Sequence, residues 1–120
     1  MLTIEEKTQA VITALEDIKA SNITVIDTSK LSQLFGRMVI ASANSPRQTR
    51  ALADHVAKEL KLRGAGVLGT EGEESGEWVL VDLDDVIVHI MQPAVRAYYR
   101  LEELRDKQYK PPISTQHSAK

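Results

Sequence analysis

Three carboxylates stand close together in the second half of the chain, Asp82, Asp84 and Asp85. On a regular strand Asp82 and Asp84 share a face, and paired acids of that kind can hold the divalent cations of phosphoryl transfer. Such chemistry also needs a cradle for the phosphate chain, and no glycine-serine loop accompanies these acids. A turn between two strands breaks the alternation here, so Asp85 can equally open the next strand and satisfy turn N–H groups. The histidines offer less. His55 falls in a helical pattern beside Ala53, Val56 and Ala57, and His117 lies near the C-terminal end. His89 alternates with Ile87 and Met91, as either a base or a structural and interfacial group. No HxH or HExxH spacing is present, so neither a metal nor a cofactor is expected. The absence of cysteine excludes a thiol nucleophile, thiolate metal sites and disulfides, and fits a cytoplasmic protein. Ser45 and Pro46, with Arg47 and Arg50 following, open a helix that could meet an anion, but without the glycines and lysine of a phosphate loop.

Charge points to a different use of the acids. The net charge is −2, yet no Lys or Arg occurs between Gly64 and Ala94, where Glu71, Glu73, Glu74, Glu77 and the three aspartates fall. Such a surface repels a phosphate backbone and attracts a basic protein patch. Basic residues are spread over the helices and tail rather than gathered with aromatics, so little direct RNA contact is expected. The start MLTIEEKTQA carries acids and no long apolar run, so neither a signal peptide nor a membrane span is expected.

The elements that must position these groups follow from periodicity. Thr3 and Glu6 make a capping box for a first helix, with Ile4, Val11, Ala14, Leu15 and Ile18 as its apolar stripe and Asn22 as its end. Strands are expected at 23–27 and 38–43, with a helical turn at 31–35 between them. Ser45 caps a second helix with Pro46 in its first turn and Leu52, Ala53, Val56, Ala57 and Leu60 inward. A short strand at 65–68 and a polar loop at 69–76 precede two strands at 78–82 and 86–90. Pro93 then opens a helix whose stripe is Ala94, Ala97, Tyr98, Leu101 and Leu104, widened by Val95 and Tyr99. This order predicts an α/β domain with a mixed five-stranded sheet and flanking helices. Residues 1–106 form the single domain, and 107–120, polar and holding Pro111 and Pro112, form a flexible tail. Alternation places Trp78, Leu80 and Asp82 on one face of their strand. A core hairpin explains that block, but a large aromatic beside acids is also a docking spot.

These same segments resemble the ribosomal silencing factor family, which includes the Iojap proteins. The resemblance is carried by ITVID at 23–27, MVIASANS at 38–45, Arg47, ALAD at 51–54 and Glu71-Gly72. It continues through GEWVLVD at 76–82, DVIVHIMQP at 85–93, Arg96, Tyr98, Tyr99, Leu101 and Glu102. The chain departs from the family pattern at Gly36-Arg37-Met38, at Ala43 in place of a glycine, and at Arg105 where a tryptophan is common. The resemblance implies a nucleotidyltransferase-like topology without catalysis. It further implies binding to the large-subunit ribosomal protein uL14, which blocks joining of the two ribosomal subunits and represses translation, and a homodimer when free. On this reading Trp78 and Leu80 form the apolar centre of the contact, Asp82 and Asp85 meet basic groups, and Met38, Ile40 and Tyr99 extend it. The alternative is a metal-dependent nucleotidyltransferase-like enzyme using Asp82 and Asp84.

Overall fold

Local signals at both long helices fold as their side chains dictate. In a computed structural model describing residues 2–30, 33 and 36–106, helix α1 spans Ile4–Asp17 and α2 spans Pro46–Leu62. The Thr3 hydroxyl accepts from the Glu6 N–H at 3.0 Å while the Glu6 carboxylate accepts from the Thr3 N–H at 2.9 Å. These bonds satisfy two of the donors that every helix start leaves open. Ser45 does the same for α2, accepting from the Gln48 N–H at 3.1 Å.

Strands β1 (Ser21–Asp27), β2 (Arg37–Ser42), β3 (Gly69–Glu71), β4 (Trp78–Asp82) and β5 (Val86–Met91) form one sheet in the order β1-β2-β5-β4-β3. Only β2 and β5 pair in parallel, with Ile40 opposite His89, so the sheet is mixed as expected. Helices α1 and α2 cover one face, where Val11 and Leu15, Leu52 and Val56, and Val39, Val81, Val88 and Ile90 are all fully buried. The opposite face holds a smaller cluster of Ile26, Met38, Ile40, Met91 and Leu101, with Trp78, Ile87 and Val95 packed against it. Short helix α3 (Pro93–Tyr99) and a 3-10 segment (Leu101–Asp106) follow β5.

Four expectations about the elements are corrected. Helix α1 stops at Asp17 rather than Asn22, because Lys19 and Asn22 take left-handed backbone, with φ of 63° and 51°. The third strand is Gly69–Glu71 rather than 65–68. The Ala65 N–H is spent closing the end of α2 on the Leu60 carbonyl, and pairing with β4 begins only when the Leu68 N–H reaches the Asp82 carbonyl. The last helix ends at Tyr99, where Arg100 adopts φ 51° and lets Leu101 turn into the small cluster. Finally, the inward residue of α3 is Arg96, while Ala94, Ala97 and Tyr98 face out. The expected turn at 31–35 and the tail at 107–120 lie outside the described residues. No helix among the described residues is long and apolar enough to cross a membrane.

A candidate protein-docking face

Strand alternation places Trp78, Leu80 and Asp82 of β4 side by side, each half-buried. Glu71 of β3 lies directly opposite Leu80 and therefore shares that face. Tyr99 of α3 leans over Trp78 with ring centroids 4.6 Å apart and planes tilted 52°, and remains 42% exposed. Together these residues form an aromatic and aliphatic centre with an acidic rim. The approach to Trp78 is set by Gly76, whose φ of 73° and close approach to Pro46 exclude a side chain. The Gly76 carbonyl accepts from the Thr49 hydroxyl at 2.6 Å and the Gln92 amide at 3.2 Å, fixing the start of β4 between α2 and α3.

Beneath the rings lies His89. It is only 1% exposed, and its Nδ1 accepts the Trp78 indole N–H at 2.9 Å. Indole nitrogen is a donor only, so the imidazole must be neutral with its proton on Nε2. That Nε2 is buried without a partner among the described residues. Burial alone pushes the His89 pKa from 6.5 down to about 3, which keeps it neutral and a feeble base at physiological pH. Its role is structural, one of the two alternatives the alternation left open.

Arg96 is the residue that periodicity misplaced. Its side chain inserts beneath α3 and donates to the Glu102 carboxylate at 3.0 Å, to the Ser42 and Thr24 hydroxyls at 2.9 Å each, and to the Asn22 carbonyl. One guanidinium thus ties α3 and the 3-10 segment to both β1 and β2, and so holds Tyr99 over Trp78. A five-donor fork is the side chain that can satisfy so many acceptors at once. Periodicity offers no signal for it beyond a charged residue in the middle of a short amphipathic helix, although Arg96 is among the residues that carry the family resemblance.

The structure separates the remaining expected contacts. Met38 and Ile40 lie on the same side of the sheet as Trp78 but are 0% exposed, so in the isolated chain they form the floor of this face and present no surface. Asp85 is drawn away: its carboxylate pairs with Lys7 of α1 at 2.6 Å, toward the helix-covered face. Asp82 instead accepts the Asp84 N–H at 2.9 Å, while Asp84 takes φ 78° in the turn. The three acids are therefore divided between a turn and an ion pair. Among the described residues no three His, Asp or Glu side chains stand where they could hold one metal ion. Arg50, expected to be free for a ligand, donates to the Glu73 and Glu74 carbonyls and pins the acidic loop. His55 pairs with Asp17 at 3.1 Å between α2 and α1.

An α/β protein with a mixed five-stranded sheet and a half-open aromatic face is thereby defined, and comparison with known proteins gives its family. The family model described as ribosomal silencing factor during starvation matches residues 2–120, and the chain belongs to that family. A ribosomal silencing factor from Chromobacterium violaceum is 53% identical over 103 residues, covering 86% of this chain and 84% of the relative. A crystal structure of a protein from the same organism aligns with a TM-score of 0.85 at 51% identity, covering 91% of each chain. A mouse protein named mitochondrial assembly of ribosomal large subunit protein 1 is 29% identical over 96 residues, covering 78% of this chain and 42% of its own length. The family role is a ribosome-associated, regulatory one.

Proposed function

We propose that the protein silences ribosomes by docking the Trp78–Tyr99 face on uL14 of the large subunit, where its bulk excludes the small subunit. The observation carrying this reading is the half-open aromatic centre rimmed by Glu71 and Asp82. A partly exposed Trp-Tyr pair backed by a rigid sheet is the kind of anchor that dominates protein interfaces. The acidic rim selects a basic protein over a phosphate backbone, which supports a ribosomal protein rather than RNA as the direct partner. The mouse relative's name points to the same ribosomal subunit. Exclusion of a neighbour needs no bond-making step, so the activity is non-enzymatic. The protein acts in the cytoplasm, and in the free state it is a homodimer.

Sedimentation of purified subunits with and without the protein tests both location and consequence. The wild-type protein should co-migrate with large subunits and lower the yield of joined particles. Trp78→Ala should lose roughly 2 kcal/mol or more of binding while keeping its helical and sheet signature. Unchanged subunit joining at concentrations that saturate the large subunit would refute the proposal.

A further inference from the structure

We propose that His89 is a positioning residue for docking: by accepting the Trp78 indole N–H, it turns the ring's only polar atom inward, so the partner meets carbon alone. The inference rests on the docking reading above. The geometry is specific to these two residues. Leu80 lies opposite His89 across the β4–β5 ladder, which puts Trp78 on the diagonal and its indole within reach of Nδ1 at 2.9 Å. The two rings are 5.7 Å apart and tilted by 49°, so the contact is a directed hydrogen bond rather than a stack.

A histidine is an unusual choice for this floor, which is otherwise built from Met38, Ile40 and Met91. An aliphatic residue would fill the same sheet position and bring no polar atom of its own into the core. The imidazole brings one, since Nε2 is sealed without a partner among the described residues. What the imidazole adds is an acceptor under the indole. Without it, the Trp78 N–H would either be buried unsatisfied or rotate outward to find water or a partner oxygen. Either outcome changes the surface that Trp78 shows.

Recognition chemistry follows. A tryptophan whose N–H is free can specify a carbonyl or carboxylate on its partner. One whose N–H is held below presents only its π-face and apolar edge. That surface suits the aliphatic stem of a lysine or arginine, or its cation over the ring, with Glu71 and Asp82 lining the same face to attract the charge. The aromatic centre and the acidic rim thereby recognise one kind of group, a long basic side chain.

The test uses the full chain, purified large ribosomal subunits and the single tryptophan as reporter. In the free protein the Trp78 indole N–H should resist solvent exchange. Nitrogen-15 spectra should show His89 protonated on Nε2 and bare on Nδ1 between about pH 5 and 8. His89→Phe keeps ring and burial but deletes the acceptor; it should shift Trp78 emission to the red and weaken large-subunit binding about tenfold. His89→Asn restores an acceptor near Nδ1 and should bind within about twofold of wild type. The proposal is overturned by a freely exchanging indole N–H, by a His89→Phe protein that binds as tightly as wild type, or by His89→Asn binding as weakly as His89→Phe. If His89→Phe fails to fold, the exchange measurement and His89→Asn decide. Failure of the wild-type protein to bind large subunits overturns the docking reading itself, and this inference with it.

Discussion

The two faces of the sheet are built to opposite rules. Against α1 and α2 the sheet is a closed aliphatic layer, with Val11, Leu15, Leu52 and Val56 meeting Val39, Val81, Val88 and Ile90 at zero exposure. Against α3 the cover is one short helix and a 3-10 turn, and the interface includes a buried imidazole and a buried guanidinium. The first face gains stability from area removed from water, which is non-directional. The second gains geometry from hydrogen bonds that work at one orientation only, His89 to Trp78 and Arg96 to its four acceptors. The well-packed face holds the fold, while the polar-stitched face holds a surface.

Substitutions on the two faces should therefore separate stability from docking. The largest loss is expected from Leu52→Ala, about 3 kcal/mol in denaturant unfolding because it opens a cavity in the closed layer. The protein that stays folded should bind large subunits normally; impaired binding in that fraction would break the division. Arg96→Met should cost about 2 kcal/mol, less than a fully buried ion pair since Glu102 keeps some water access. It should also release Tyr99 from Trp78, seen as altered tryptophan fluorescence and weakened subunit binding, which Leu52→Ala should not produce.

Acid should then expose the histidine on the second face. His89 takes up a proton only near pH 3 in the folded chain, against 6.5 for an ordinary histidine. The unfolded chain therefore binds the extra proton first, so this group's contribution is fully present above pH 6.5 and is lost progressively as pH falls toward 3. The expected slope is about 1.4 kcal/mol per pH unit between those two values. Urea unfolding of wild type and His89→Asn across that range should differ by this slope, and parallel curves would contradict a buried neutral imidazole. The smallest effect should be Thr3→Ala, about 1 kcal/mol from loss of the α1 capping box, with no change in docking.

Which features were legible in the chain depends on how far apart their causes lie. The caps at Thr3 and Ser45 and the β4–β5 hairpin were readable because their partners sit a few residues away. Trp78, Leu80 and Asp82 were placed on one face by alternation alone, and the half-buried pattern of β4 agrees. The inward side of α3 was not readable, because a helical stripe is scored by hydrophobicity and the residue that turns in is Arg96. Its acceptors, Asn22, Thr24 and Ser42, come from strands far earlier in the chain. Asp85 was grouped with Asp82 for the same reason: adjacency in sequence hid the lysine on α1 that claims it. For Met38 and Ile40 the side of the sheet was deducible and the depth was not.

The one parallel seam governs how the molecule comes into being. Arg37 aligns with Val86 and Ser42 with Met91, so the middle of the sheet joins two stretches separated by α2, β3 and β4. Contacts of such long sequence separation form late, after the entropy of closing the intervening chain has been met. A nascent polypeptide that has not yet emerged through His89 lacks both the imidazole and the β5 strand with which β4 and its indole pair. A chain truncated before His89 should therefore fail to assemble the Trp78–Tyr99 face, even where its first two helices form.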